Sequence, residues 1–482
     1  MKTTGEVLAV DLDGTLISSD MLHESFWAAL GKDRSLVISA LGAFLSGGRA
    51  ALKERLATGV EIDVALLPYK ETVLEELRAA KTRGAHVVLA TASDRRFAEA
   101  IANHLGLFDE VLASDGETNL KGAAKADLLV EKFGQGGFAY IGDSSADLTV
   151  WEKSSEAISV DATPTLRGRI TAPNVRHLEE AGGEGHWMQA AFRALRPHQW
   201  LKNLLVFIPM MLAHNFTGSA FLAALLAFAA FSLVASSVYV LNDLVDLSAD
   251  RAHPRKRLRP FASGALPLST GLWLAPGLLA AGIILGAIVG SLFLGILLFY
   301  YLCTLAYSLG LKRITVIDIC MLAGLYTLRV VAGAAATVTV PSVWLLGFSI
   351  FFFLALAAVK RQAELVDLVA RGDDKAEGRG YLPEDLPLIT MMALASGYVS
   401  VLVAGLYLTS DSVAILYSFP SALWGICAVL VYWVSRIVML THRRRMHDDP
   451  IVFAVTDKVS LFCGVMIVGL VVIAARFSPP LA

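Results

Sequence analysis

The chain has 482 residues, 55% hydrophobic and 17% charged, with a mean hydropathy of +0.60 and a formal net charge of −2. That apolarity excludes an ordinary soluble protein. It is uneven: residues 1 to about 195 mix charge and hydrophobicity as a globular domain does, while from about 200 onward long uncharged runs alternate with short basic loops, so two domains of different solvent preference are expected. The near-zero net charge averages over this split and says little about partners.

In chain order, Val7–Leu16 reads as a buried strand that delivers Asp11 and Asp13 at its C-terminal tip, where open α/β sheets place their chemistry. Helical patterning follows, including Met21–Leu30 and Leu36–Leu45. Val87–Ser93 is a second apolar strand with the hydroxyl of Thr91 near its end, and Tyr140–Asp147 is a third strand followed by Asp143 and Asp147. Lys121, in Leu-Lys-Gly, and Lys125 are the cations between them. In this order the four motifs resemble those of the haloacid dehalogenase superfamily of phosphatases. The resemblance implies an α/β Rossmann-like fold over residues 1–165, with a small helical cap at about 17–66 that selects the substrate. It makes Asp11 the nucleophile and Asp13 the general acid and base, with Thr91 on a phosphoryl oxygen. Lys121 would neutralise nucleophile and phosphate, Lys125 being the competing candidate. Mg2+ would be held by Asp11, Asp143 and the Asp13 carbonyl.

Ala162–Gly185, with Pro164, Pro173 and a Gly-rich end, reads as a linker, and Trp187–Leu195 as an interfacial amphipathic helix, so that 166–195 joins the two domains. The remainder, 196–482, is expected to be an all-α polytopic membrane bundle of about nine transmembrane helices. They fall at roughly 198–214, 219–241, 268–288, 291–310, 316–336, 342–359, 387–408, 414–439 and 458–476. Lys and Arg are confined to alternate loops, around Arg251–Arg259, Lys312–Arg313, Lys360–Arg379 and Arg436–Lys458. These and the N-terminal domain are expected in the cytosol, bounded by the inner membrane, with an odd span count leaving Ala482 on the far side. The N-terminus lacks an apolar signal core. Cys303, Cys320, Cys427 and Cys463 lie singly in apolar runs, as buried hydrophobes do.

Asp243, Asp246 and Asp250, at i, i+3 and i+7 where the second span ends, fall on one helical face. Carboxylates stacked so closely repel one another, and a hard dication shared with substrate phosphates is their natural partner. Arg251, Arg255, Lys256, Arg257 and Arg259 supply charge for the remaining phosphate oxygens. A plain positive-inside loop accounts for these cations but not for the acids in register. Asp318 and Arg329, eleven residues apart on the fifth span, point the same way and suggest a polar funnel, unless Arg329 pairs structurally with an acid on another helix. Lys360, Arg361 and Glu364 open the third cytosolic loop, contacting phosphate or terminating a helix through its dipole.

Residues from about 195 onward resemble the UbiA superfamily of intramembrane prenyltransferases. Asn242, Asp243, Asp246 and Asp250 match its first Asp-rich motif, and Arg259, Pro260, Ser263 and Gly264 a later one. Within it, the chain is similar to the decaprenyl-phosphate phosphoribosyltransferase branch at Arg251, His253, Pro254, Lys256 and Arg257, at Arg196–Asn203, at Tyr307, Ser308, Lys312 and Asp318, and at Lys360, Arg361 and Glu364. The family's second Asp-rich motif is missing, since Glu364, Asp367, Asp373 and Asp374 do not form it, which implies one metal here rather than two. The resemblance implies transfer of 5-phosphoribose from phosphoribosyl pyrophosphate to a polyprenyl phosphate, with Mg2+ on Asp243, Asp246 and Asp250. Lys202, Asn203, Asn242, Arg251, His253, Lys256, Arg257, Arg259, Tyr307, Lys312, Asp318, Arg329, Lys360, Arg361 and Glu364 would bind substrate. The phosphatase would then remove the 5-phosphate. One Mg2+ in each domain, membrane lipid as surroundings, no nucleic acid and room for a homo-oligomer complete the expectation. The alternative is transfer of a polyprenyl chain from its diphosphate to an aromatic or other polar acceptor, with an independent phosphatase.

Overall fold

The computed structural model describes residues 6–32, 34–115, 119–179, 186–372, 379–446 and 449–476. Asp373 and Asp374 lie outside the described residues. The chain forms two compact units. One comprises the residues up to Leu195 with Tyr239–Pro276, and the other Arg196–Val238 with Gly277 onward. Tyr239–Pro276, expected in the membrane domain, therefore packs with the N-terminal unit.

In the first unit β1 (Val7–Val10) leads into α1 (Met21–Lys32) and α2 (Arg34–Gly59), which form the cap. There follow α3 (Glu71–Thr82), β2 (His86–Asp94), α4 (Arg95–Leu105), β3 (Glu110–Ser114), α5 (Ala123–Phe133), β4 (Ala139–Gly142), β5 (Glu156–Val160) and β6 (Asn174–Leu178). The strands are all parallel, in the order β3-β2-β1-β4-β5-β6. Because side chains alternate across a strand, Leu8 and Val10 enter one core with Val73, Leu77, Phe97 and Ile101, while Val7 and Ala9 enter another with Leu129, Tyr140 and Trp151. Val73, Leu74, Leu77 and Ala80 form the buried stripe of α3. Asp94 caps the start of α4 by accepting from the Arg96 amide, and Gly106 in the left-handed region ends it. Strand order reverses between β1 and β4, so the crevice for chemistry opens at their C-terminal ends.

The cap agrees with the expected helices, with α2 broken at Gly48, whose φ of +69° only glycine adopts readily. The linker expectation is corrected. Residues 164–178 supply a short helix, Pro164–Arg167, and the edge strand β6, so the sheet runs past residue 165. β6 carries Arg176, paired with Glu76 and Glu156, and is mostly exposed, which erases the apolar alternation that marks inner strands. His186–Ala194 is helical as expected, with Ala190 and Ala194 buried and Trp187, Met188 and Phe192 exposed.

Among the described residues eight helices, not nine, are long and apolar enough to cross a membrane: Gly218–Val245, Leu268–Val289, Ser291–Leu309, Ile317–Ala336, Val343–Arg371, Pro383–Leu408, Pro420–His442 and Lys458–Arg476. The stretch expected as the first span is instead a 3₁₀ segment, Pro197–Phe207, followed by the short helix Ile208–Leu212. A 3₁₀ turn rises faster than an α turn, so these sixteen residues reach about 30 Å. Within the second unit they run alongside Ile317–Ala336, Asn203 meeting Arg329 and Val206 meeting Gly333. A Cβ at Gly333 would fall 2.1 Å from the Val206 carbonyl oxygen, so only glycine admits that backbone. The parity that placed Ala482 on the far side rested on nine long helices and loses that support.

Candidate functional site

The soluble site is built at the tips of β1, β2 and β4. The Asp11 amide donates to the Ile141 carbonyl (3.0 Å), which carries the chain across from β1 to β4. Asp11 Oδ1 accepts from the Leu12 amide (2.8 Å) and lies 2.9 Å from Lys125 Nζ. Two residues on, Asp13 accepts from the Met21 amide (2.8 Å) and from Ser93 Oγ (2.5 Å). Gly14, at φ +75°, turns the chain tightly because a Cβ there would lie 2.3 Å from Asp143 Oδ2. Thr15 Oγ1 donates to Asp143 Oδ1 (3.1 Å).

Asp11, Asp143 and Asp147 bring one carboxylate oxygen each within 4.8 Å of one another, the only such group found among the described residues. Asp147 is already engaged: Oδ1 accepts from Tyr140 OH (2.9 Å), and Oδ2 from the amide and hydroxyl of Ser144 (3.1 and 3.0 Å). Asp11 and Asp143 therefore fit a hard cation best, with Asp147 shaping the turn behind them. Burial, then the charges of Asp147 and Asp11, push the Asp143 carboxyl up to about 7, and burial raises Asp11 against the pull of Lys125. Asp13 is pushed up to about 7, chiefly by burial and then by the charge of Asp20, so near neutrality a substantial fraction carries a proton that a general acid can give.

A carboxyl with a raised native pKa binds more protons folded than unfolded. Metal-free stability should therefore fall as pH climbs from about 4 through 7. A cation displaces those protons, so Mg2+ affinity should rise over the same range, by about tenfold per unit for each proton expelled. Calorimetry at pH 6.5 in two buffers of different ionisation enthalpy should register proton release on Mg2+ binding. Identical heats in both buffers would contradict it.

Two expected residues of this site change. Lys121 is exposed ahead of α5, whereas Lys125, one turn into that helix and buried, meets Asp11 and donates to Tyr140 OH (2.8 Å). Thr91 lies inside β2, fully buried, and accepts from the Ser93 amide (3.0 Å). β2 runs three residues further to Asp94, and it is the Ser93 hydroxyl that reaches Asp13.

The acidic loop lies in the same compact unit. The helix Gly218–Val245 breaks at Asp246, a short helix Leu247–Ala252 follows, and a 3₁₀ turn spans Lys256–Leu258. Asp243 and Asp250 do face one another as the spacing requires, because Arg259 Nη1 donates to Asp243 Oδ1 (3.2 Å) and Asp250 Oδ2 (2.5 Å). Burial raises the Asp250 carboxyl and Arg259 opposes it. Of the expected trio, Asp243 and Asp250 share a guanidinium, and Asp246 stands at the break between the two helices. The position between Asp243 and Asp250 is one that takes positive charge. Arg255, Lys256 and Arg257 are exposed beyond it. His253 Nδ1 accepts from the Arg255 and Lys256 amides (3.1 and 3.3 Å), so the imidazole shapes the loop. Arg251, expected on substrate, is buried in an ion pair with Glu24. Asn242 is half-buried on the last turn of the long helix, its carbonyl accepting from the Asp246 amide (2.9 Å).

In the second unit the expected residues fall into two clusters. Lys202 Nζ lies 2.6 Å from Asp449 Oδ2, with Lys360 Nζ at 3.4 Å and Tyr326 OH at 3.2 Å. Beside them Arg329 donates to Asn203 Oδ1 (2.8 Å), the Leu325 carbonyl (2.6 Å) and Tyr300 OH (2.7 Å), while Asn203 donates to Ser232 (3.0 Å). The other cluster centres on Asp318, which accepts from Tyr307 OH (2.8 Å) and Arg379 (3.0 Å) and pairs with Arg361 (2.7 Å). Arg361 and Arg379 also pair with Glu364. Asp318 and Arg329 thus share a helix but not a cluster, and among the described residues the hydrogen-bond partners of Arg329 are Asn203, Leu325 and Tyr300 rather than an acid. Lys312 is half-buried in the turn Leu311–Arg313. Asp449 and Arg379 were missed. Asp449-Pro450 reads only as a helix cap, and nothing local ties it to a lysine 247 residues earlier.

A family model described as the UbiA prenyltransferase family matches residues 203–471. The chain belongs to that family. This UbiA-family protein also matches a model for haloacid dehalogenase-like hydrolases at residues 8–152, so a UbiA membrane domain is fused to an N-terminal dehalogenase-like domain. It is 38% identical to the protein y4nM of Sinorhizobium fredii over 97% of this chain and 90% of that one. It is 36% identical to the decaprenyl-phosphate phosphoribosyltransferase of Mycolicibacterium smegmatis, over 38% of this chain and 60% of that enzyme. A solved structure of a UbiA homolog from Archaeoglobus fulgidus, bound to GPP and Mg2+, is similar at 15% identity with a TM-score of 0.46, covering 58% of this chain and 99% of that one.

Proposed function

We propose that this protein transfers 5-phosphoribose from phosphoribosyl pyrophosphate to a polyprenyl phosphate, and that its dehalogenase-like domain then hydrolyses the 5-phosphate of the lipid-linked product. The observation that carries the reading is the acidic loop: Asp243 and Asp250 gathered on Arg259, then three exposed cations, in a chain similar to decaprenyl-phosphate phosphoribosyltransferase. A soluble donor with a phosphate and a pyrophosphate on one ribose calls for more cationic charge than a neutral aromatic acceptor does.

In the transfer, the bond from ribose C1 to the pyrophosphate oxygen breaks and one from C1 to a lipid phosphate oxygen forms. Asp243 and Asp246 would hold Mg2+, with Asp250 completing the set, and the ion would neutralise the departing pyrophosphate. Lys256, Arg257 and Arg259 bind phosphate oxygens, Arg259 leaving the two acids to do so. Lys202 and Lys360, held in reserve on Asp449, and Tyr307 with its arginine neighbours are secondary candidates for the lipid phosphate.

In the hydrolysis, Asp11 attacks the 5-phosphate while Asp13 gives its proton to the departing ribose oxygen. Asp13 then takes a proton from the water that cleaves the aspartyl phosphate. Lys125 holds the nucleophile and the incoming phosphate, and Ser93 orients Asp13. Mg2+ on Asp11 and Asp143 would offset phosphoryl charge. The basic loops and both sites would share the cytosolic side. Competition tests the reading: phosphoribosyl pyrophosphate with Mg2+ should protect the acidic loop from proteolysis at micromolar to millimolar levels, and geranyl diphosphate should not. Protection by the prenyl diphosphate alone would favour chain transfer to a polar acceptor.

A further inference from the structure

The acidic loop touches the phosphatase at its cap and at the segments that join the cap to the sheet. Arg251 forms a forked ion pair with Glu24 of α1, Nη1 to Oε2 at 2.9 Å and Nη2 to Oε1 at 2.7 Å, while its Nε donates to the Ala262 carbonyl (3.0 Å). Glu24 and Arg251 are 3% and 8% exposed. Glu24 also accepts from Ser19 Oγ. The Ser19 carbonyl in turn accepts from the Gly14 amide (3.0 Å), and the Met21 amide, one turn before Glu24, donates to Asp13 (2.8 Å). A short path of hydrogen bonds therefore runs from the loop to Gly14, the residue after Asp13, and the first turn of α1 links Glu24 to the Met21 amide that meets Asp13.

Two further contacts fall on the same device. The cap joins the sheet through Ser18 and Pro68, which are tied by the Ser18 amide donating to the Pro68 carbonyl (2.8 Å). Gly264 of the acidic loop, at φ +78°, lies against both, since a Cβ there would sit 2.7 Å from Ser18 Cβ and 3.2 Å from Pro68 Cβ. At the other end of α1, a Cβ on Gly31 would fall 2.7 Å from the Val245 carbonyl oxygen, where the long helix ends. Lys53 of α2 donates to the Ala92 carbonyl (3.2 Å) beside Ser93, so the cap lies across the end of β2. Both cap linkers and both ends of α1 thus bear on residues 245–264.

We propose that Arg251 and Gly264 are positioning residues for the phosphatase: they form the bearing on which its cap opens, and so make phosphate hydrolysis responsive to what the acidic loop holds. The second half of this statement rests on the transferase reading given above. Arg251 holds Glu24 and with it the first turn of α1, whose Met21 amide aims Asp13. A ligand that draws Arg259 off Asp250 shifts the residue next to Arg251 and is felt at that turn.

The test is hydrolysis of p-nitrophenyl phosphate by the full-length protein in lipid nanodiscs. Glu24→Gln and Arg251→Gln should each lower kcat by about tenfold with little change in KM, as misaimed proton transfer does. The exchange Glu24→Arg with Arg251→Glu should restore most of it. In the wild type, phosphoribosyl pyrophosphate with Mg2+ should change kcat at least about twofold, and in Arg251→Gln it should not. If Arg251→Gln does not fold, Arg251→Lys, which keeps the charge but loses the fork, should show the same loss of kcat. Single variants with wild-type kcat, or a swap no better than either single, would overturn the proposal. Calorimetry with phosphoribosyl pyrophosphate separates the two claims. Absent binding with impaired single variants removes the transferase reading and leaves the positioning role, whereas normal binding with unimpaired variants removes the positioning role alone.

Discussion

Asp11→Asn is expected to abolish hydrolysis of the 5-phosphate, by about 10³-fold or more, and to leave the lipid product carrying that phosphate. The side chain sits where β1 ends, its oxygen 2.9 Å from the Lys125 ammonium and its amide tied to Ile141. Asparagine keeps the shape and the Leu12 contact, so the sheet should hold. It loses the negative oxygen proposed to attack phosphorus and the charge that balances Lys125 and any cation shared with Asp143. Mass spectrometry of lipid extracts reads the outcome as one extra phosphate on the variant's product. The same product from both proteins would separate the phosphatase from the membrane reaction altogether.

Asp243→Asn is expected to reduce transfer to lipid by at least about 10²-fold, the scale on which removing one preorganised electrostatic group acts. Asp243 is buried on the last turn of the long helix and shares Arg259 with Asp250. The asparagine leaves Arg259 anchored on Asp250 at 2.5 Å, so the loop keeps its form while the site loses one of the three carboxylates proposed to attract a dication. The check is label from phosphoribosyl pyrophosphate appearing in the lipid phase, measured at the Mg2+ level that saturates the wild type and again well above it. Full activity at ordinary Mg2+ would mean that Asp243 has no part in holding the donor.

Much of this was legible along the chain, where the signal is local. β1, β2 and β4 are short apolar runs ending in acids or hydroxyls, and both the pattern and the chemistry lie within a few residues. The i, i+7 relation of Asp243 and Asp250 survives the break at Asp246 because the amides of Asp246 and Asp250 keep their bonds four residues back. Arg251 was expected on substrate and is instead paired with Glu24: it follows Asp250 on the same helix, where adjacent residues point about 100° apart, so the two turn to different partners. Other features had no local trace. Lys121 and Lys125 are separated only by the turn at Gly122, whose φ of +57° sends α5 off in the direction that brings Lys125 under Asp11. Asp449, Arg379 and Glu24 meet Lys202, Asp318 and Arg251 through packing between elements 247, 61 and 227 residues apart. The first expected span was apolar as read, but its backbone is 3₁₀, which composition does not distinguish from a short α-helix.

The most direct test of the central claim uses the wild-type protein in nanodiscs with Mg2+, polyprenyl phosphate and phosphoribosyl pyrophosphate labelled in the ribose carbons. The account predicts label in the lipid fraction, with a mass equal to the polyprenyl phosphate joined to one ribose. Label confined to the aqueous phase, while a polyprenyl diphosphate is consumed with a polar acceptor, would contradict it.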